Sequence, residues 1–340
     1  MEARRAFIKL NYSGVDITKE VSADLISFTY TDNASGEADS VSVSLKDEKK
    51  KWSGPWFPSK GDVIDSTLHT TNWRKDGDRQ KLSCGRFFVD EPEFSGRPRV
   101  MTINAISSPL NTNFSNTERS KSWRNVTIKA IATDIAKRAG LTLQFIGTTN
   151  PVYKNIQQTE KSDSSFLSEL CEKEGLSMKL TDSKIVIFDE EEFEKRKAIA
   201  TYNESDSIVL DYSFKTSLSN TAYAGVNVKY YDSKIGKNIE FLFSIRDIDK
   251  EKDKIYQLNA KVSTGEEARR LAQKTLRKLN KTEYTGSLSV TLNLELLGSS
   301  CINLKGFGAF DGKYFITKAT HNVGGGSTTD LEIRKVLEGY

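Results

Sequence analysis

Two histidines, His69 and His321, are all that this chain offers for proton transfer by imidazole near neutral pH. Both fall at the ends of expected strands, and no serine or cysteine beside them occupies the strand-to-helix elbow that a nucleophile needs. They read as ordinary strand-end residues. The three cysteines, Cys84, Cys171 and Cys301, lie far apart and form no C-x-x-C pair, which argues against a disulfide framework and against a zinc site. A phosphate loop needs its glycines where a strand turns into a helix, so that backbone amides face the anion, and no such motif occurs in that context. Gly306, Gly308 and Gly312 fall between strands instead, where a hairpin or bulge explains them. Acidic residues are numerous enough to form pairs by chance, but none stands alone in an aromatic-rich segment as a glycosidase carboxylate would. The run from Asp189 to Glu194, which continues into Lys195, Arg196 and Lys197, lacks the turn glycine around which a calcium loop arranges its ligands. It reads as a solvated linker or a short helix. No catalytic, cofactor or metal residue emerges, and the expectation is a protein that is not an enzyme and needs no cofactor.

Aromatic side chains carry more information. Trp52, Trp56 and Phe57 stand in a loop with Gly54, Pro55 and Pro58, and Trp73 follows the next expected strand. Such residues either fold back as a plug on the core or anchor a protein interface, where tryptophan is enriched. Both readings stay open for the group. Trp56 and Phe57 are expected to serve contacts with other subunits more than the core.

Positioning these residues falls to a chain long enough for two or three domains, with 37% hydrophobic and 28% charged residues, which is the balance of a folded protein. The 50 basic and 46 acidic residues are interspersed, so no basic stripe of the kind that displaces counterions from a nucleic acid is expected. Arg269, Arg270, Lys274, Arg277, Lys278 and Lys281 come nearest to one, but they read as the solvated face of a single helix. The first residues contain no apolar signal segment, and no run of 18 apolar residues occurs, so synthesis in the cytoplasm without membrane insertion is expected.

Alternation of apolar and polar residues predicts strands at 7–12, 25–30, 41–45, 63–68, 85–90 and 100–106. The period then lengthens. Ile128, Ile131, Ala132, Ile135 and Ala136 recur at helical spacing up to Gly140, and a second helix is expected from an N-cap at Ser162 or Asp163 to a stop at Gly175. A strand at 141–145 and a hairpin pairing 177–180 with 184–188, through Thr181, Asp182 and Ser183, complete a small α/β unit. Strands return at 207–214, 224–231, 239–243, 287–292, 313–319 and 328–334, interrupted by one helix over about 264–280 whose start at Ser263 or Thr264 fits a capping box with Glu266 or Glu267. The expected organisation is α+β and mainly β: tube-like antiparallel β-barrel or sandwich domains at 1–109 and 199–340 flank a small α/β domain at 110–198.

This order of segments resembles the phage late-control, or protein-D, family of baseplate hubs of contractile tails, which is related to the N-terminal part of type VI secretion spike proteins. In the first block the resemblance rests on the loop from Trp52 to Asp62 and on Gly85, Phe87, Val89 and Asp90. The middle matches most specifically: Gln157 and Gln158, then Ser162 and Asp163, precede a helix with Phe166 and Leu167 that ends before Gly175. The last block adds Glu266 to Ala272, Phe310 to Tyr314, and Thr320 with His321. The acidic run before Lys195 has no counterpart in the pattern, and with no spike, lysozyme or peptidase segment in the sequence an enzymatic tail tip is expected to need a separate polypeptide. Membership implies a structural homotrimer with two tube-like domains per chain. That ring would join a sixfold tail tube protein to a central spike protein, with tape-measure and baseplate wedge proteins as further candidate partners. Two other classes compete with this reading, a peptidoglycan-binding or peptidoglycan-degrading tail-tip protein and a nucleic-acid-binding regulator.

Overall fold

The computed structural model describes residues 3–107, 113–181, 183–219, 221–232, 236–249, 251–262 and 265–340. The expected capping residues Ser263 and Thr264 and the turn residue Asp182 lie outside these.

The first block alternates as its sequence requires. Strands β1 (Arg5–Tyr12), β2 (Val15–Asp16), β3 (Leu25–Asn33), β4 (Ser40–Lys46), β5 (Val63–Thr71), β6 (Arg79–Ser95) and β7 (Val100–Ile106) accompany one short helix, α1 (Thr18–Asp24). In β4 the buried residues are Val41, Val43 and Leu45, every second position, while the serines between them bond across the sheet to β7. All pairings here are antiparallel, in the order β3-β4-β7-β6-β5-β1-β2. Strand β6 serves two neighbours because its register shifts twice, opposite Ser66 and Thr67 and again between Val89 and Glu91. Such bulges bend a strand and increase its twist. One end of β6 therefore pairs with β5 and the other with β7.

The middle block follows its helical period closely. It comprises α2 (Asn113–Asn116), β8 (Glu118–Thr127), α3 (Ile128–Ala139), β9 (Thr142–Ile146), β10 (Val152–Ser162), α4 (Asp163–Lys173), β11 (Ser177–Thr181), β12 (Lys184–Phe188) and α5 (Glu190–Lys195). Helix α3 starts where the Thr127 hydroxyl accepts from Ala130 N at 3.2 Å, and it ends where Gly140 takes a left-handed φ of 69°. Ser162 caps α4 in the same way, accepting from Ser165 N at 3.2 Å. The Gln158 and Asp163 of the family pattern are both buried. Arg138 at the end of α3 grips Asp163 with two bonds of 2.6 and 2.9 Å, and Gln158 donates to the same carboxylate at 2.9 Å. The motif thus ties the start of α4 to the end of α3.

The last block holds β13 (Ala200–Asn203), β14 (Val209–Thr216), β15 (Gly225–Asp232), β16 (Lys237–Ser244), β17 (Ile255–Asn259), α6 (Gly265–Asn280), β18 (Tyr284–Thr291), β19 (Cys301–Lys305), β20 (Gly312–Gly324) and β21 (Thr328–Lys335). Here the structure adds a division that alternation did not reveal. Strands β15, β16 and β17 form their own three-stranded sheet. Val226 and Val228 of that sheet pack against Ala268, Ala272 and Leu276 of α6, so the chain makes a complete excursion between the paired strands β14 and β18.

The remaining strands continue the first sheet. Strand β20 pairs with β19 up to Phe315, shifts register at Thr317, and then pairs with β3 from Lys318 to Gly324. One 13-stranded sheet therefore runs from β14 through β18, β21, β20 and β3 to β2, antiparallel apart from the side pair β13 with β19. The apolar cores merge in step: Leu292, Leu294 and Val323 of the last block are buried with Phe28, Tyr30 and Leu45 of the first.

Candidate assembly surfaces and internal junctions

The loop after β4 is organised by one buried carboxylate. Asp47 accepts from Trp52 N at 2.8 Å and from Ser53 N at 3.3 Å, and Arg99 reaches it at 3.4 Å. Burial opposes ionisation there, but these donors hold its carboxyl below the usual range. The aromatic residues then divide. Trp52 turns inward, is only 2% exposed and donates its indole N–H to Asp24 at 2.8 Å. Trp73 packs against the same core, donates to the Leu292 carbonyl at 2.7 Å and lies under the Arg4 guanidinium. These two fasten the chain to itself, the core plug of the two readings left open for the group. Trp56 and Phe57 remain outside, 41% and 51% exposed. A cavity of about 350 Å³ opens between them and Leu10, Tyr12, Val15 and Ile17. At its rim Tyr12 donates to Asp62, and burial with that bond pushes the phenol up to about 12.

Nearby lies one end of the large sheet, at β2, where Val15 is exposed. The opposite end is β14, which pairs only with β18 and leaves Leu210 and Tyr212 largely open to solvent. Unpaired edges with apolar side chains are templates for pairing with another chain. No signal in the sequence distinguished β14 from the strands inside the sheet.

Charged residues do unexpected work inside the molecule. The acidic run is a short helix, α5, but it is not solvated: Glu190 and Glu194 are buried. Arg334 of β21 contacts Glu190 at 2.7 Å and Glu194 at 2.5 Å, Arg277 of α6 meets Glu194 at 2.7 Å, and Lys281 meets Glu190 at 2.6 Å. Burial works against ionising Glu190, yet Lys281 and Arg334 bring it down to about 2. The basic helix face is corrected by the same contacts, since Arg277 is 4% exposed and Arg270 pairs with Glu174 at 3.3 Å. Two segments that each read as solvated answer one another across the fold. A second junction places Lys179 of β11 between Asp32 of β3 and Asp39, the latter at 3.0 Å. Burial pushes Asp39 up to about 6. The Lys179 amine is opposed by burial too, but the two aspartates hold its pKa above the ordinary lysine value.

Neither histidine is placed as a base. His321 is fully buried, stacked on Tyr30 with centroids 5.9 Å apart and bonded to Thr329 at 3.0 Å, and burial lowers it to about 4. His69 stacks on Phe7, and burial with Lys9 and Lys81 lowers its pKa. All three cysteines are free and buried, and burial pushes Cys84 and Cys171 up to about 12, far from thiolate chemistry at neutral pH. Among the described residues no group of three or more His, Cys, Asp or Glu is placed to hold a metal ion, and no helix is long and apolar enough to cross a membrane.

Comparison with known proteins gives a consistent picture. Residues 105–327 match the family model of the phage tail baseplate hub (GPD). A probable baseplate hub protein of Escherichia phage 186 is 32% identical over 178 residues, a match that covers 52% of this chain and 43% of the phage protein. Among solved structures, a tail protein from Neisseria meningitidis MC58 superposes with a TM-score of 0.73 at 11% identity, over 97% of both chains. An E. coli type VI secretion component, c3393, described as structurally similar to T4 tail proteins gp27 and gp5, superposes with a TM-score of 0.57 at 13% identity, over 93% of this chain and 75% of its own. The two structural likenesses establish the fold. The family match spans more than half of the chain, and the chain belongs to the phage tail baseplate hub family.

Proposed function

We propose that this baseplate hub chain closes with two further copies into a ring that joins a sixfold tail tube to a central spike. The reading is supported by the continuous sheet, which joins strands of the first and last blocks and whose main path ends at β2 and β14, with exposed apolar side chains at each. On this reading residues 1–109 and 199–340 each supply one tube-like module. Head-to-tail contact of unlike edges is heterologous, and it closes when the rotation per subunit divides a full turn. Three copies bring six modules around a channel, which suits a sixfold tube on one face and a threefold spike on the other. The role is structural. Burial of His321 and of the thiols leaves little there for acid–base or nucleophilic catalysis, and neither cofactor nor metal enters the reading.

Partners on this reading are the tail tube protein and the central spike protein, with tape-measure and baseplate wedge proteins as neighbours and no role for nucleic acid or membrane. The chain would reach its place during tail assembly in the bacterial cytoplasm. Coexpression with the cognate spike tests this by light scattering, with three hub chains per three spike chains expected. A hub that stays monomeric alone and with both spike and tube partners overturns the proposal. A monomer in isolation does not, because a partner can template the closing of the edges.

A further inference from the structure

Three blocks of the chain meet at the turn that joins β3 to β4. From the middle block the Lys179 ammonium reaches both Asp32 and Asp39, and the Met178 carbonyl accepts from Gly36 N at 3.1 Å. From the last block Gly298 N donates to Asp32 Oδ2 at 2.8 Å, and the glycine lies so close that an added Cβ would meet Ala34 N at 2.8 Å. The turn is also tied within itself. Asp39 Oδ1 accepts from Asn33 N at 2.9 Å, and Asp39 N donates at 3.0 Å to the Ser107 hydroxyl, which in turn donates to the Leu180 carbonyl of β11 at 2.9 Å. Both aspartates are buried by these contacts, Asp39 almost completely.

Charge does not balance at this meeting point. Two buried carboxylates face one ammonium, and a surplus charge held away from water is costly. The other titratable groups that face the pair supply no second cation: Tyr30 of β3 and Cys84 of β6 are kept neutral by burial, and so is His321 of β20, which faces Asp32, at neutral pH. Asp39 Oδ2 is buried and makes no hydrogen bond of good geometry among the described residues, although the Thr181 hydroxyl faces the carboxyl. We propose that the junction is a proton-operated clamp, in which the middle block seats most firmly on the turn when the carboxylate pair holds one proton, and loosens when that proton leaves. With the proton on Asp39 the charges of Asp32 and Lys179 cancel, and Thr181 is an acceptor within the cluster. The direction of the effect follows from linkage. Burial raises Asp39 from 3.8 to about 6 against the opposing pull of Lys179, whereas a turn released into water returns it to its ordinary value. Between those values the seated state binds more protons than the released one, so seating is favoured as pH falls, and the gain is lost as pH rises through about 6. Nothing in this inference depends on ring formation.

The Gly36 amide, bonded across the junction, reports seating in the full chain. Its protection from hydrogen exchange, corrected for the intrinsic rate at each pH, should be about tenfold higher at pH 5 than at pH 8, the ratio that the Asp39 shift implies. Asp39→Asn keeps the Oδ1 acceptor but cannot ionise, so its protection should not depend on pH across that range. Lys179→Met takes the only ammonium from the two carboxylates and should move the midpoint of the response up by about one pH unit or more, because Lys179 is what opposes the shift. A lysine that merely packs would lower protection equally at every pH and leave the midpoint in place. Carbon-13 titration of the aspartate carboxyls in the unaltered chain should find one with a midpoint near 6, a reading that stands even where a variant folds poorly. No aspartate titrating above pH 5, Gly36 protection that is flat between pH 5 and 8, an unaltered response in Asp39→Asn, or an unmoved midpoint in Lys179→Met overturns the proposal.

Discussion

At the seam between β3 and β20, Phe28, Tyr30 and Val323 share a core with Leu292 and Leu294, and a ladder of backbone bonds runs along the join. At the junction of α5, α6 and β21, Glu190 and Glu194 are buried among Arg277, Lys281 and Arg334. Both places hold distant parts of the chain together, but they respond differently to change. An apolar contact degrades gradually as atoms are removed, with a cost that follows the volume lost. A buried charge cluster tolerates wholesale replacement better than the loss of one member, because the survivors are left uncompensated.

The sharpest way to break the comparison is Glu194→Ala, which removes the carboxylate shared by Arg277 and Arg334. We expect a loss of about 3–5 kcal/mol in denaturant unfolding. Replacing all three residues with apolar ones of similar volume should recover most of it. A single-variant loss under about 1 kcal/mol would mean that water reaches the cluster, and the contrast with the seam would fail. At the seam itself, Leu292→Ala should cost about 2–4 kcal/mol in the same assay, with no second substitution nearby able to rescue it except one that refills the cavity.

Acid separates the two places further. His321 has its pKa lowered from 6.5 to about 4, so between those values the folded state binds fewer protons than the unfolded one. Its contribution is complete above pH 6.5 and is lost as pH falls toward 4. Glu190 is lowered from 4.5 to about 2, so the junction's share is complete above pH 4.5 and is lost only below that. Asp39 has the opposite sign: raised from 3.8 to about 6, it makes the fold gain stability as pH falls through that window. His321→Gln should therefore flatten the pH dependence between 6.5 and 4, a change of up to about 3 kcal/mol, and leave the steeper loss below 4.5 in place. An unchanged slope in that variant would show that the seam does not sense acid.

The smallest effect on folding is expected at Trp56, which belongs to neither place. Trp56→Ala should change unfolding by about 1 kcal/mol or less, since the ring is 41% exposed, yet it should weaken assembly with partner chains. A large fall in melting temperature would assign the ring to the core instead.

Much of the fold was legible because local signals agreed with it. Thr127 and Ser162 begin helices, Gly140 closes one, and the apolar period between them states which face is buried. Alternation located six strands of the last block, missed the short β13, β17 and β19, and could not say which sheet each would join, and so β15 and β16 separated unannounced. The loop aromatics shared one local signature although Trp52 turns in and Trp56 turns out, a difference decided by Asp24 and Asp47, which capture the first. Charge was the least legible of all. Glu194 of α5 and Arg277 of α6 lie 83 residues apart, and a charged run bound for water looks the same in sequence as one bound for its opposite.

The register shift at Thr317 has a mechanical consequence. Because β20 of the last block pairs with β3 of the first as well as with β21, tension applied along it is shared in shear by seven residue pairs toward β3 and eight toward β21, and the rungs are not peeled open one at a time. A strand loaded this way acts as a tie rod, stiff along its axis, and passes strain from one block to the other. Pulled between the first strand and the last, a single molecule should therefore yield in one high-force event spanning both blocks, and two separate events at low force would show that the rod does not carry the load.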